Sequence, residues 1–67
     1  MGQDLKYINK SLEKSFKILE ILSKSIFPLK ASNISRKAAL SRTTTFRLLS
    51  VLSDLGYIHK NLSSNTY

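Results

Sequence analysis

Residues 40–58 read LSRTTTFRLLSVLSDLGYI, a segment that contains the start, the periodicity and the end of one amphipathic helix. Ser41 is suited to cap the helix, because a serine hydroxyl accepts hydrogen bonds from the free amides of the first turn. Gly56 is suited to the left-handed residue that often follows a helix. Between them, leucines recur at helical spacing. We therefore predict a helix over about residues 41–55.

This helix has two different sides. The side expected to be buried carries Thr45, Leu48, Leu49, Leu52 and Leu55, and the opposite side carries Arg42, Thr43, Phe46, Arg47, Ser50 and Ser53. Arginine makes paired hydrogen bonds to guanine edges, and threonine can contact a thymine methyl group or a phosphate oxygen. The second side is therefore suited to DNA. Phe46 has two interpretations, contact with a base or packing beneath a neighbouring segment.

Two further helices precede it. Residues 11–25 carry apolar side chains at helical spacing on one side and lysines on the other, with Ser11 as the expected cap. Phe27-Pro28 ends this helix, because proline disfavours a helical conformation in the residue before it. A shorter helix is predicted from Ser32 to about Ala38. The expected common core consists of Leu12, Phe16, Leu19, Leu22, Ile34, Leu48, Leu49, Leu52 and Leu55.

The segment after Gly56 predicts a wing, residues 57–67. Residues 57–60 (YIHK) read as a short strand, and Lys60 lies where a wing meets phosphates. Residues 61–65 are rich in Asn and Ser, which favour turns, and Thr66-Tyr67 begins a returning strand. The fold class is thus mainly α with a small β-hairpin, a three-helix winged helix-turn-helix. Residues 1–10 are expected to form an arm or short helix, and residues 11–67 the domain.

Composition limits the possible functions. The 67 residues include eleven Lys and Arg against four Asp and Glu, for a net charge of +7, and no acid lies between Ile21 and Ser53. Such a composition suits binding to a polyanion, although lysines that only solvate the surface would account for the net charge equally well.

Other kinds of site are not expected. The chain has no cysteine and one histidine, His59, so we expect no metal site, no disulfide and no cofactor. No catalytic pair is evident, so no enzyme is expected. Without a membrane span or a secretory signal, a cytoplasmic location is expected.

The ordered motifs resemble the IclR-type transcriptional regulators. Residues 11–22 (SLEKSFKILEIL) are similar to the family's first helix, and residues 40–49, followed by Leu52 and residues 55–58 (LGYI), are similar to its recognition helix and wing entry. The resemblance implies a homodimeric DNA-binding regulator whose small-molecule effector binds a large domain absent from this chain. Carried over by position, the DNA-facing residues are Arg42, Thr43, Thr44, Phe46 and Arg47, with Lys60 on the wing.

The sequence departs from the family pattern at several positions. Ala39 replaces the usual glycine of the helix-turn-helix turn, where a left-handed alanine costs roughly 1–2 kcal/mol. Ser41 replaces a frequent proline, and Phe46 replaces histidine or another polar residue. Ser64-Asn65 replaces Asp-Gly in the wing, and asparagine tolerates positive φ there.

The predicted function is sequence-specific binding of double-stranded DNA for transcription regulation. One alternative is a winged-helix module for protein–protein interaction, in which the basic face is incidental and Phe46 docks on a partner. Another is a membrane-surface helix over residues 11–25, but its apolar stripe is what a three-helix core requires.

Overall fold

The computed structural model describes residues 9–67, which form three helices in the predicted order. They are α1 (Lys10–Lys24), α2 (Ala31–Ala38) and α3 (Arg42–Asp54). Most of the predicted N-terminal arm, residues 1–8, lies outside the described residues. The three-helix, mainly α architecture is thus confirmed.

The start of α1 differs from the prediction. Asn9, not Ser11, caps the helix, and its Oδ1 accepts hydrogen bonds from the amides of Ser11 at 2.8 Å and Leu12 at 3.2 Å. Ser11 lies within the first turn, where its carbonyl accepts the hydroxyl of Ser15. Asparagine and serine are about equally good caps, so residue type alone did not distinguish the two positions.

The turn between α2 and α3 contains a left-handed alanine. Ala39 has φ 57° and ψ 42°. The amide of Leu40 donates to the carbonyl of Ser35 at 2.9 Å, and the amide of Ala39 donates to that of Arg36 at 3.2 Å. This pair of hydrogen bonds is the Schellman motif, which requires a left-handed residue at the position of Ala39.

The same motif ends α3. Gly56 has φ 86°, as predicted, and the amide of Tyr57 donates to the carbonyl of Leu52 at 2.9 Å. Ser41 caps the other end of α3, also as predicted, and its hydroxyl accepts from the amide of Thr44 at 3.1 Å. The side chain of Thr45 is fully buried and donates to the carbonyl of Ser41.

The core lies where the three helices meet. Its buried members are Ile18, Ala31, Ile34, Leu48, Leu49 and Leu52, with Leu19, Leu22, Leu29, Leu40, Ile58 and Tyr67 partly buried against them. The prediction was right for Ile34 and for the three leucines of α3. The predicted core did not include Ile18, whereas this side chain is the fully buried residue of α1.

Three residues that were predicted in the core are exposed. Leu12 is 53% exposed, Phe16 62% and Leu55 65%. Phe16 and Ile18 are two positions apart, which corresponds to about 200° of rotation around the helix axis, so Phe16 points away from the core when Ile18 points inward. Leu55 follows the last residue of α3. The apolar stripe of α1 is therefore wider than the surface that α2 and α3 cover.

The predicted hairpin is reduced to one bridge. Residues 57–60 form no strand, and Asn61 pairs with Thr66 in an antiparallel bridge across a turn. Asn65 has φ 60°, in agreement with the expected turn, and the side chain of Tyr57 is exposed. The returning segment is bonded to the loop between α1 and α2, because Tyr67 and Leu29 exchange backbone hydrogen bonds of 2.8 and 3.1 Å.

Candidate nucleic-acid interface

The outward side of α3 carries most of the predicted DNA-facing residues. Arg42, Thr43, Phe46, Arg47 and Ser50 are all exposed. The helix itself positions them, because Leu48, Leu49 and Leu52 bury its other side in the core. Long cationic side chains thus project from a helix that is rigidly held by packing.

The three consecutive threonines have different environments. Thr43 is exposed, Thr44 is half-buried and Thr45 is buried. Thr43 is thus the only one of the three that is exposed, and the hydroxyl of Thr45 is also bonded to the carbonyl of Ser41. Of the two threonines that were assigned to DNA, Thr43 is therefore better placed than Thr44.

Arg42 and Phe46 border a shallow hollow between α3, the start of α2 and the wing turn. Its volume is about 220 Å³, and it is lined by Lys30, Ala31, Ser32, Arg42, Phe46 and Asn65. We call it the wing-side hollow. A second hollow, on the helix-turn-helix side of Arg42, is lined by Ser32, Ser35, Arg36, Leu40 and Arg42. Arg42 therefore lies between two concave surfaces, each containing basic and hydroxyl side chains.

Sequence reasoning missed Lys30, Ser32 and Asn65 as neighbours of the α3 face. They are 10 to 23 positions away from Arg42 along the chain and meet it only through the packing of α2 and the wing turn. The one available signal was Lys30-Ala31-Ser32 at the start of a helix, where free amides and the helix dipole favour anions.

Lys60 and His59 lie apart from the two hollows beside Arg42. Lys60 lines neither hollow; it is half-buried, and its Nζ lies 5.8 Å from the centroid of the Tyr67 ring, within the range of a cation–π interaction. His59 is exposed and borders a different, apolar groove near Leu19 and Ile58.

The electrostatic character of the α3 face changes at its end. No acid lies between Ile21 and Ser53, so α3 carries only basic and uncharged side chains before Asp54. Asp54 follows Arg47 by seven residues, close to two helical turns, and so lies on the same side of α3. It is exposed and marks the C-terminal limit of the surface that suits phosphates.

Comparison with known families agrees with this arrangement. The sequence model of one protein family, the IclR helix-turn-helix domain, matches residues 11–62, more than three quarters of the chain. The chain belongs to the IclR helix-turn-helix family. The match includes almost all of α1, all of α2 and α3, and the first part of the wing. No curated protein and no solved structure gives a match.

Family membership fixes the broad function. IclR helix-turn-helix domains are DNA-binding domains of transcription regulators and not a class of enzyme. Within residues 9–67, no helix is both long and apolar enough to cross a membrane.

Proposed function

We propose that this domain binds double-stranded DNA sequence-specifically, with α3 in the major groove and the wing, residues 57–67, against the backbone. The observation that carries the proposal is the exposed face of α3, which presents two arginines, a threonine, a serine and a phenylalanine without any acid before Asp54. An α-helix with side chains is about 10–12 Å wide and fits the major groove, which is about 12 Å wide.

Each residue of this face has a role suited to its chemistry. Arg42 and Arg47 can form paired hydrogen bonds with guanine or hold phosphates. The exposed Thr43 contacts a base edge or phosphate, and the half-buried Thr44 contacts the backbone beside the start of α3. Phe46 makes an apolar contact with a base.

The surroundings of α3 support backbone contacts on the wing side. The first turn of α2, with Lys30 and Ser32, borders the same hollow as Arg42 and Asn65. A phosphate that enters this hollow would meet two cations, a hydroxyl group and the positive end of a helix. Lys60 is proposed to contact a phosphate farther along the wing.

The domain is further proposed to act as a homodimer, formed largely by the N-terminal segment and α1. One winged helix touches only a few base pairs, and a pair reads a two-fold symmetric site. The exposed Leu12 and Phe16 on α1 support this arrangement, because they form an apolar strip on the monomer. A small-molecule effector, which the family resemblance implies, would bind outside this domain.

Selection from a random-sequence duplex library tests the proposal. Enrichment of one motif, together with binding to it that weakens steeply with salt, is expected for a specific DNA-binding domain. A matched pair of variants localises the surface. Arg42→Ala with Arg47→Ala should abolish enrichment, whereas Lys24→Ala with Lys37→Ala removes the same charge from a groove near Ile21 and Leu29 and should preserve it.

Two results would overturn this proposal. Failure of the library to enrich any motif would exclude sequence-specific binding. Retention of a protein partner that is insensitive to salt, without retention of DNA, would favour the alternative of a protein-interaction module.

A further inference from the structure

Phe46 is an apolar side chain in basic and polar surroundings. It is 47% exposed and lies on the outward side of α3, whereas Leu48 and Leu49 are buried. Its neighbours around the wing-side hollow are Lys30, Ala31, Ser32, Arg42 and Asn65. The core cluster of Ile18, Ala31, Ile34, Leu48, Leu49 and Leu52 does not include it. Core packing therefore does not account for the ring.

The major groove offers an aromatic ring very few apolar partners. Guanine presents two acceptors there, adenine an acceptor and a donor, cytosine a donor, and thymine an acceptor and its 5-methyl group. A ring pressed against a donor or acceptor removes water from that group without replacing the hydrogen bond, which is unfavourable. The thymine methyl group is the surface of unmodified DNA that gains from such a contact.

We infer that Phe46 is a specificity-determining residue that selects thymine through its 5-methyl group. The inference rests on the proposed function, since it requires α3 to lie in the major groove. Arg42 precedes Phe46 by four residues, a spacing that puts their Cβ atoms about 5–6 Å apart on one side of the helix. The selected thymine should thus lie about one to two base pairs from the group that Arg42 contacts, at a rise of about 3.4 Å per pair.

Replacement of thymine by deoxyuridine tests this inference, because it removes the methyl group and leaves base pairing intact. The probe is the duplex enriched from the random library, with each thymine replaced in turn. At one or two positions, deoxyuridine should weaken binding of the unaltered domain roughly fourfold, the equivalent of one buried methyl group. Phe46→Ala should bind the thymine and deoxyuridine duplexes equally at those positions.

Two further variants separate contact from folding. Phe46→Leu keeps an apolar side chain and should retain part of the preference for thymine. Phe27→Ala removes another exposed phenylalanine, in the loop between α1 and α2, and should retain the full preference. Thermal unfolding confirms that each variant is folded.

The outcomes distinguish this inference from the function on which it rests. If the domain binds the enriched duplex and every deoxyuridine replacement is neutral, Phe46 does not read thymine, although the proposed function stands. If Phe46→Ala remains as sensitive to deoxyuridine as the unaltered domain, another side chain reads the methyl group and the inference is wrong. If no duplex is enriched, the proposed function and the inference both fail.

Discussion

Ala39 and Gly56 occupy the same position in two copies of one helix-ending motif. Ala39 follows α2 with φ 57°, and Gly56 follows α3 with φ 86°. Both residues have the left-handed backbone conformation. In both cases the amide of the next residue donates a hydrogen bond to a carbonyl in the last turn of the helix. The first motif is built on an alanine, whose Cβ disfavours this conformation, and the second on a glycine, which has none.

Ala39→Gly should therefore stabilise the domain. The left-handed conformation costs an alanine roughly 1–2 kcal/mol, and about 0.4–1 kcal/mol of that gain is lost because glycine makes the unfolded chain more flexible. A net gain of about 0.5–1 kcal/mol is expected, which corresponds to a rise of several degrees in Tm for a domain of this size. Thermal or urea unfolding measures it.

Gly56→Ala is the reciprocal control. A Cβ at Gly56 would meet no atom within 4 Å, so only the conformational cost applies. The free energy of unfolding should fall by about 1 kcal/mol. A loss of stability in Ala39→Gly would show that the methyl group of Ala39 contributes more by packing than its backbone conformation costs.

Leu52→Ala and Phe16→Ala should affect stability very differently. Leu52 is buried between the helices, and its truncation should lower the free energy of unfolding by roughly 2–5 kcal/mol. Phe16 is exposed, so its truncation should change stability by no more than about 0.5 kcal/mol in the monomer. Urea unfolding at low protein concentration compares them. A cost of about 2 kcal/mol for Phe16→Ala under these conditions would show that α1 buries Phe16 in the core of the monomer.

Sedimentation velocity tests the proposed homodimer. The unaltered domain should associate as its concentration rises or when its DNA is added, and Leu12→Ser with Phe16→Ser should weaken that association. Ile26→Ser with Phe27→Ser removes two other exposed apolar side chains, in the loop before α2, and should not. A strictly monomeric domain at high concentration, with and without DNA, would rule out the dimer.

Arg47→Ala and Lys60→Ala should separate recognition of bases from attachment to the backbone. Loss of a paired arginine–guanine contact costs about 1–3 kcal/mol on the cognate duplex and reduces preference at one position. Loss of a phosphate contact weakens all duplexes alike and lowers the salt slope by about one. Lys60 lies on the wing and lines neither hollow beside α3, so its contact should be of the second kind.

Titrations of both variants against enriched and random duplexes over a salt series provide the measurement. Equal weakening of both duplexes by Arg47→Ala would make Arg47 a phosphate contact. Binding unchanged in both variants would show that the DNA-binding surface lies elsewhere on the domain.

Local features of the fold were predictable because they depend on near neighbours in the chain. The cap at Ser41, the left-handed residues at Ala39, Gly56 and Asn65, and the helix break before Pro28 all follow from backbone preferences of single residues. The predicted N-terminal cap of α1, Ser11, was wrong because Asn9 and Ser11 are both residue types that cap helices well. The strand at 57–60 was wrong because extended residues become a strand only when a partner backbone pairs with them, and here the pairing begins at Asn61.

The site was predictable only in part. Helical periodicity identified the exposed side of α3, but Lys30, Ser32 and Asn65 joined Arg42 and Phe46 through packing alone. The position of Lys60 over Tyr67 also depends on contacts between the wing residues, which composition did not reveal. The DNA roles of Arg42, Thr43, Thr44, Phe46, Arg47 and Lys60 stay predictions.

The sequence by itself determined three helices, their order, most of their ends and the acid-free face of α3, because these follow from periodicity, capping and charge within short segments. Only the tertiary structure decided which part of each apolar stripe is buried. α2 and α3 cover α1 around Ile18 and leave Leu12 and Phe16 in solvent. A helix can display more apolar surface than its neighbours can cover, and three short helices enclose a core only along the line where they meet.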